Sequence, residues 1–193
     1  MRPGVTAVIP AIPPRAADGK LRRALDSVLS QTRPVDAISV SVDHARRGSA
    51  LNRTRAVSGV GTTWAAFLDD DDEWNPDHVE CLLAHAEETG ADVVYPWFNV
   101  SGGFDPWPGV EGSPFSEERL REFNYIPITV LARTDLLWEI GGFTPKGPPE
   151  NPCDDWGTWE RLVGAGATFS HLPRRTWTWH WHPGNTSGRN DRW

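Results

Sequence analysis

The sequence predicts an α/β fold, a single domain in which a mostly parallel central sheet is flanked by helices. In the first half of the chain, short apolar runs alternate with segments whose apolar residues recur at helical spacing. This alternation is typical of parallel strands joined by crossover helices. The length of 193 residues suits one domain with a core of its own. In such sheets, ligands bind beyond the carboxyl ends of the strands.

The first half supplies four predicted strands at residues 5–9, 37–42, 64–68 and 92–98, with helices at about 21–29, 50–57 and 75–86. The first of these helices is indicated by Leu21, Ala24 and Val28, which recur every three to four residues. The third helix has Pro76 at its start, where a proline is tolerated because its missing N–H has no partner in the helix.

The second half is less regular. Its predicted segments are a loop at 101–116, helical turns at 117–123, a strand at 126–132, a short helix at 135–140, a loop at 146–152, a helix at 155–163 and a strand at 175–182. The last strand alternates strictly, with Trp177, Trp179 and Trp181 on one face and His180 and His182 on the other. Two imidazoles on one face suit a metal or a phosphate, and equally a half-exposed strand with histidine outward.

Composition excludes several classes of protein. The net charge is −7 and no basic block is present, which argues against a nucleic-acid partner. No apolar stretch has the length of a membrane span and no signal-peptide core is present, so we expect a cytoplasmic protein. Cys81 and Cys153 lack a metal-ligand pattern and are predicted to be free thiols. The eleven tryptophans indicate core packing or stacking on sugar rings.

Four consecutive aspartates, Asp69 to Asp72, directly follow the apolar strand at 64–68. Like charges repel, and a divalent cation removes that repulsion. Hard cations such as Mg²⁺ and Mn²⁺ prefer carboxylate oxygens and often also hold substrate phosphates. The alternative is a solvated acidic turn that caps the next helix. The position directly after a strand favours a metal–diphosphate site.

At three further places in the chain, local pattern does not decide between a structural and a functional role. Asp43 ends the strand at 37–42, where it either forms a turn or binds a nucleobase or ribose. Asp154 and Asp155 open a helix, where they either cap it or supply a general base. Arg53 and Arg55 lie in the helix at 50–57, where either side chain would contact phosphate or remain solvated.

In their order along the chain, these motifs resemble family-two glycosyltransferases of the GT-A fold. The matching pieces are Val8-Ile9-Pro10, residues 25–32, Asp43, residues 67–74, Gly141-Gly142-Phe143, Asp154-Asp155-Trp156 with Arg161-Leu162 and Gly166, and His182 with Ser187. The resemblance covers nearly the whole chain, to about Arg189. It implies one GT-A domain over 1–193: a nucleotide-sugar-binding half at 1–98, an acceptor-binding and catalytic half at 99–182, and a polar tail at 183–193.

The resemblance also implies a role for each matching residue. Asp69 and Asp71 form the Asp-x-Asp pair. Pro10, Asp43, Arg53, Asp69 and Asp70 bind the nucleotide sugar, Asp71 and His182 hold Mn²⁺ or Mg²⁺, Asp155 is the catalytic base, and Asp154, Gly142 and Trp156 lie on the acceptor side.

The implied activity is metal-dependent, inverting transfer of one sugar from a nucleotide-diphosphate sugar to a hydroxyl of an unidentified acceptor. That acceptor is a protein, a glycan, a lipid-linked sugar or a small molecule. Transfer of a single sugar is expected because the Gln-x-x-Arg-Trp pattern and membrane helices of processive synthases are missing from the sequence.

The chain departs from the family pattern at three places. Ile12-Pro13 replaces Tyr-Asn, Arg53-Thr54 replaces Arg-Asn, and Asp154-Asp155 replaces Glu-Asp. Four alternatives remain open: a retaining transferase on the same metal site, a nucleotidyltransferase, a non-catalytic tryptophan-rich carbohydrate-binding protein, and a degenerate, inactive transferase. The lack of a glycine-rich phosphate loop near the first strand argues against the nucleotidyltransferase.

Overall fold

A computed structural model describes residues 3–103, 105, 113–146 and 153–185. Its strands are β1 (Val5–Ala11), β2 (Ala37–Val42), β3 (Trp64–Phe67), β4 (Glu73–Trp74), β5 (Val93–Ser101), β6 (Leu131–Arg133) and β7 (Phe169–His180). Its helices are α1 (Pro13–Ala17), α2 (Lys20–Leu29), α3 (Ser49–Ser58), α4 (His78–Thr89), α5 (Glu117–Glu122), α6 (Thr134–Glu139) and α7 (Asp154–Gly164).

All seven strands form one sheet in the order β2-β1-β3-β6-β5-β7-β4. Strand β1 pairs in parallel with β2 and β3, and β5 pairs in parallel with β7. Strand β6 is antiparallel to β3 and β5, and β4 is antiparallel to β7. Five strands therefore run one way and two the other, so the predicted α/β class with a mostly parallel sheet is confirmed.

The sheet is covered on both faces. Consecutive side chains of a strand point to opposite faces. On β1, Ala7 and Ile9 belong to one apolar cluster and Val8 to another. On β3, Ala66 joins the first cluster and Phe67 the second. The sheet is therefore packed between two apolar layers. Because both faces of its strands are buried, the strand sequences are nearly continuous apolar runs.

Two predicted strands, at 126–132 and 175–182, begin at positions clearly different from those in the structure, and prolines explain both. The strand expected at 126–132 is limited to β6, because Pro127 cannot donate to a ladder and the buried segment before β6 is irregular. Strand β7 begins at Phe169 rather than at 175. Its Pro173 lies where the β5–β7 register shifts, between the pairs Tyr95–His171 and Trp97–Arg175, so the irregularity accommodates the proline.

Two short elements, α1 and β4, were not predicted. Helix α1 begins at Pro13, between the first predicted strand and the first predicted helix, where no element was predicted. Strand β4 has only two residues, too few for a periodic pattern. Parts of three predicted segments, the loops at 101–116 and 146–152 and the tail at 183–193, lie outside the described residues. Within the described ranges, no helix is both long and apolar enough to cross a membrane.

The topology brings the polar segments of interest to one edge of the sheet. Asp43 directly follows β2, and the four aspartates follow β3, next to the carboxyl end of β1. Strand β7 ends at His180 and leads to His182. This is the edge at which α/β sheets bind ligands.

Candidate functional site

Three of the four aspartates after β3 form a group, and the fourth, Asp70, has partners of its own. Asp69, Asp71 and Asp72 each place one carboxylate oxygen within 4.8 Å of the others. Asp71 and Asp72 are buried, and Asp69 is partly exposed. Burial and the charges of its neighbours raise the pKa of Asp72 well above its ordinary value. The group therefore concentrates negative charge in a place with little water to screen it.

Asp71 and His182 meet, although 111 positions separate them in the sequence. The Nε2 atom of His182 lies 2.9 Å from Oδ2 of Asp71. Burial and the charge of Asp69 raise the pKa of Asp71, against the influence of Arg15 and His182. The two residues predicted to hold a metal are thus neighbours.

A hard divalent cation fits this group. Three carboxylates and an imidazole are ligand types that Mn²⁺ and Mg²⁺ accept. A cation would also lower the cost of placing three carboxylates together, two of them buried. Among the residues the structure describes, Asp69, Asp71 and Asp72 are the one such cluster of acidic, histidine or cysteine side chains.

Asp70 is not part of this group of three and binds the segment around α1. Its Oδ2 atom accepts a hydrogen bond of 2.8 Å from the backbone N–H of Ile12, and Oδ1 accepts one of 2.8 Å from Arg15. Burial raises the pKa of Asp70 to about 6, although Arg15 opposes the shift. Arg15 also forms an ion pair of 2.8 Å with Asp71. Sequence reasoning missed Arg15, whose only local signal was a cation directly after the proline pair that starts a helix.

Arg53 joins the acidic motif to the acid pair on α7. Its guanidinium lies 2.6 Å from Oδ1 of Asp69 and 2.6 Å from Oδ2 of Asp154. Asp154 also accepts a hydrogen bond of 2.9 Å from the hydroxyl of Ser49. Burial opposes the charge on Arg53, but Asp69 and Asp154 outweigh it and raise its pKa, so Arg53 remains a cation.

Replacing Arg53 with methionine should destabilise the protein by about 3–5 kcal/mol, because a buried carboxylate is left without its counter-ion. Side-chain exposure is only 9% for Arg53 and 7% for Asp154, so water cannot replace the lost contact. The free energy of unfolding, measured in urea, tests this. Arg55→Met, at an exposed position of the same helix, is the control. Equal losses in the two variants would contradict the assignment.

Asp155 lies at the start of α7, partly exposed, beside Asp154. Burial and the charge of Asp154 raise the pKa of Asp155 to about 6, while Arg53 and hydrogen bonds from Trp156 and Asn124 oppose the rise. The backbone N–H of Trp156 donates at 2.8 Å to Oδ1. Asn124 is a second residue that sequence reasoning missed. A carboxylate of this kind is ionised near neutral pH and basic enough to accept a proton.

Pro10 lies on β1, and Asp43 directly follows the neighbouring strand β2. Pro10 is buried in β1 and pairs with Ser41, two residues before Asp43. Asp43 closes the turn into α3 by accepting backbone hydrogen bonds from Arg47 at 2.9 Å and Gly48 at 2.8 Å. These bonds lower the pKa of Asp43. Both residues lie at the ligand-binding edge of the sheet.

Trp156 and Gly142 are held by internal contacts. The indole N–H of Trp156 donates to the carbonyl of Leu120, and the Nζ atom of Lys146 lies 3.8 Å from the centre of its ring. Gly142 adopts a φ of +85° and packs against Thr54 on α3. The hydroxyl of Thr54 also accepts a hydrogen bond of 2.9 Å from the N–H of Phe143. Gly142 thus lets the chain approach α3 closely.

Replacing Gly142 with alanine should lower stability by about 2–3 kcal/mol, through backbone strain and steric overlap. A Cβ there would lie 2.6 Å from Cγ2 of Thr54. The control is Gly141→Ala, at φ +78° with nothing within 4 Å of the added carbon. We expect it to cost only about 1 kcal/mol. Urea unfolding compares the two, and a Gly141 variant as unstable as the Gly142 variant would contradict the steric account.

The tryptophans mostly form core. Among the described residues, six tryptophans have at most 8% exposure: Trp64, Trp74, Trp97, Trp159, Trp177 and Trp179. On β7, the predicted tryptophan face is therefore inward for two residues, while Trp181 lies just past the strand end and is exposed. Buried indoles offer no face to a sugar, so they do not support a tryptophan-rich carbohydrate-binding protein.

Comparison with known proteins adds a family and a fold. A family model described as "Glycosyl transferase family 2" matches residues 35–134, just over half of the chain. No curated protein matches the sequence. A crystal structure of S. aureus TarS 1-349 in complex with UDP-GlcNAc is similar, with a TM-score of 0.74 and 15% identity. The match covers 95% of this chain and 60% of TarS 1-349.

A second TarS structure, in complex with UDP, gives a TM-score of 0.66 at 15% identity over 93% of this chain and 61% of that one. This chain thus spans less than two thirds of the TarS chain it matches. Likeness at this identity shows a shared fold, and function depends on the site.

Proposed function

Because the chain belongs to glycosyl transferase family 2, we propose that it is a metal-dependent, inverting glycosyltransferase. It moves one sugar from a nucleotide-diphosphate sugar to an acceptor hydroxyl. The observation that carries this proposal is the Arg53 bridge, with contacts of 2.6 Å to both Asp69 and Asp154. It places the acidic motif beside the acid pair, so that a donor diphosphate and a base belong to one site.

The donor belongs to the half of the domain at residues 1–98. Pro10 and Asp43 border the crevice at the carboxyl edge of the sheet, as a nucleoside site requires. Asp71 and His182 would hold Mn²⁺ or Mg²⁺, with Asp69 and Asp72 close by. When bound, the metal supplies positive charge for the leaving diphosphate. UDP-GlcNAc, bound in a TarS structure, is the first donor to test.

Asp155 is the proposed base. It takes the proton of the acceptor hydroxyl as that oxygen attacks the anomeric carbon from the face opposite the diphosphate. The bond to the diphosphate breaks with its electron pair on the departing oxygen, through a transition state of oxocarbenium character. A single displacement inverts the anomeric configuration. Asp155 suits this role because burial raises its pKa to about 6, which makes it a stronger base than an ordinary aspartate.

The remaining predicted residues support the site indirectly. Arg53, Asp70 and Asp154 are engaged with internal partners, which favours a role in positioning the site over direct contact with the donor. Gly142 and Trp156 belong to the half at 99–182, where the acceptor is expected. The proposal specifies the acceptor only by its hydroxyl.

Slow hydrolysis of the donor tests the proposal without a known acceptor, because water then takes the place of the acceptor hydroxyl. UDP-GlcNAc, an α-linked donor, is incubated with the protein and Mn²⁺, and proton NMR identifies the first anomer released before mutarotation mixes the two. We expect the β anomer. Release of the α anomer would instead support the retaining alternative, and a reaction equally fast in EDTA would contradict metal dependence.

A further inference from the structure

Arg15 bridges two aspartates of the acidic motif. One guanidinium nitrogen lies 2.8 Å from Oδ1 of Asp70, and the other lies 2.8 Å from Oδ2 of Asp71. The Asp70 end is firmly fixed, because Asp70 is 1% exposed and also accepts the N–H of Ile12. The other nitrogen of Arg15 contacts Asp71, a residue that the proposed function assigns to the metal.

The oxygen that Arg15 contacts on Asp71 is the one that His182 contacts. Nε2 of His182 lies 2.9 Å from this Oδ2 atom. A divalent cation bound by Asp71 would lie about 2.0–2.2 Å from a carboxylate oxygen. A guanidinium on the same carboxylate would then face a like charge a few ångströms away, at a cost in free energy. Arg15 and a metal therefore compete for Asp71.

The guanidinium is placed so that its contact with Asp71 can be released. The side chain of Arg15 is 18% exposed, and among the described residues the nitrogen on Asp71 has one further hydrogen-bond partner, the carbonyl of Gly184 at 3.4 Å. The other nitrogen remains with Asp70. A diphosphate at the metal would offer the freed nitrogen a new anionic partner, and guanidinium pairs well with phosphate oxygens.

We propose that Arg15 is a resident counter-cation of the acidic motif. It holds Asp71 while the site is empty, weakens the binding of free metal, and leaves Asp71 when metal and nucleoside diphosphate bind together. The inference rests on the proposed function and adds to it an order of loading, in which the site favours the metal–nucleotide complex over the free cation. It also gives a role to the segment at 12–15, where the chain departs from the family pattern.

Calorimetric titration of Mn²⁺, with and without saturating UDP, tests this on the whole chain. In the natural protein, Mn²⁺ alone should bind weakly, and UDP should tighten it. In Arg15→Met, Mn²⁺ alone should bind about tenfold more tightly, because the guanidinium no longer competes for Asp71. The increase in Mn²⁺ affinity that UDP produces should be smaller by the same factor.

Two further variants make the result decisive. Arg22→Met removes the same charge from an exposed side chain of α2 that pairs with Asp26, and should leave Mn²⁺ binding unchanged. The double variant Arg15→Met/Asp70→Asn avoids leaving a buried carboxylate without its partner and should repeat the tenfold gain. Unchanged or weaker Mn²⁺ binding in both Arg15 variants would overturn the inference while the proposed function stands. If the natural protein binds no Mn²⁺ even with UDP, the proposed function itself fails.

Discussion

Replacing Asp155 with asparagine should lower sugar transfer about 100- to 10,000-fold, the range typical for loss of a general base. Asparagine keeps the shape of the side chain and can still accept the N–H of Trp156, but it cannot take a proton from the acceptor. Donor binding should be unchanged, because Asp155 lies on α7 and, among the described residues, no hydrogen bond or ion pair joins it to the acidic motif. Initial rates and calorimetric donor affinities, measured on the same preparation, separate the two effects.

The same variant should be at least as stable as the natural protein at pH 7. Burial raises the pKa of Asp155 to about 6, above its value in an unfolded chain, so the folded state holds the proton more tightly. The folded state therefore loses stability as the pH rises from 3.8, the ordinary pKa, to about 6, and asparagine removes that loss. Full turnover in a well-folded Asp155→Asn protein would show that another group is the base.

The pH dependence of the natural enzyme follows from the same group. Because the pKa of Asp155 is raised to about 6, the basic form is present above that pH and is lost below it. We expect kcat/KM to fall about tenfold for each pH unit below 6. The profile is measured with donor saturation checked at each pH. A flat profile between pH 5 and 7 would argue against a carboxylate base with this pKa.

Replacing Asp71 with asparagine should remove the part of donor affinity that depends on metal. Asp71 is the carboxylate that contacts His182 and lies among the three clustered aspartates. Changes to groups that only orient metal ligands cost about 10- to 100-fold, so loss of a ligand should cost at least about 100-fold. The affinity for UDP in Mn²⁺ should fall to the level seen in EDTA.

The control is Asp77→Asn, the same chemical change at a partly exposed residue that pairs with Arg174. It should bind UDP normally with metal. If Asp71→Asn retains a large difference between Mn²⁺ and EDTA, the metal is held elsewhere.

Local pattern predicted the parts of the site that lie on single elements. The aspartates follow a buried strand, so periodicity and charge were enough to indicate a metal site there. The acid pair opens a helix, where local pattern left its role open and the family resemblance supplied it. The fold class was predictable because the first half alternates regular elements. The boundaries of β6 and β7 were not, since Pro127 and Pro173 interrupt the pattern while tertiary packing decides where pairing occurs.

What the sequence could not show is which charges neutralise one another. Local pattern left open whether Arg53 contacts phosphate or is solvated, and the structure places it between two carboxylates, one of them 101 positions away in the sequence. Arg15 lies in a short proline-led helix with no periodic signal, yet it contacts Asp70 and Asp71 across more than 50 positions. Such pairings depend on how strands are ordered in the sheet, and a local pattern contains no record of that order.

The proposed function requires that the acidic motif binds a nucleotide-diphosphate sugar through a divalent metal. The most direct test is calorimetric titration of the natural protein with a panel of nucleotide sugars, beginning with UDP-GlcNAc, in Mn²⁺ and again in EDTA. We expect at least one donor to bind in Mn²⁺, and chelation of the metal should abolish this binding. Binding of no donor in Mn²⁺, or equal binding in EDTA, would contradict it.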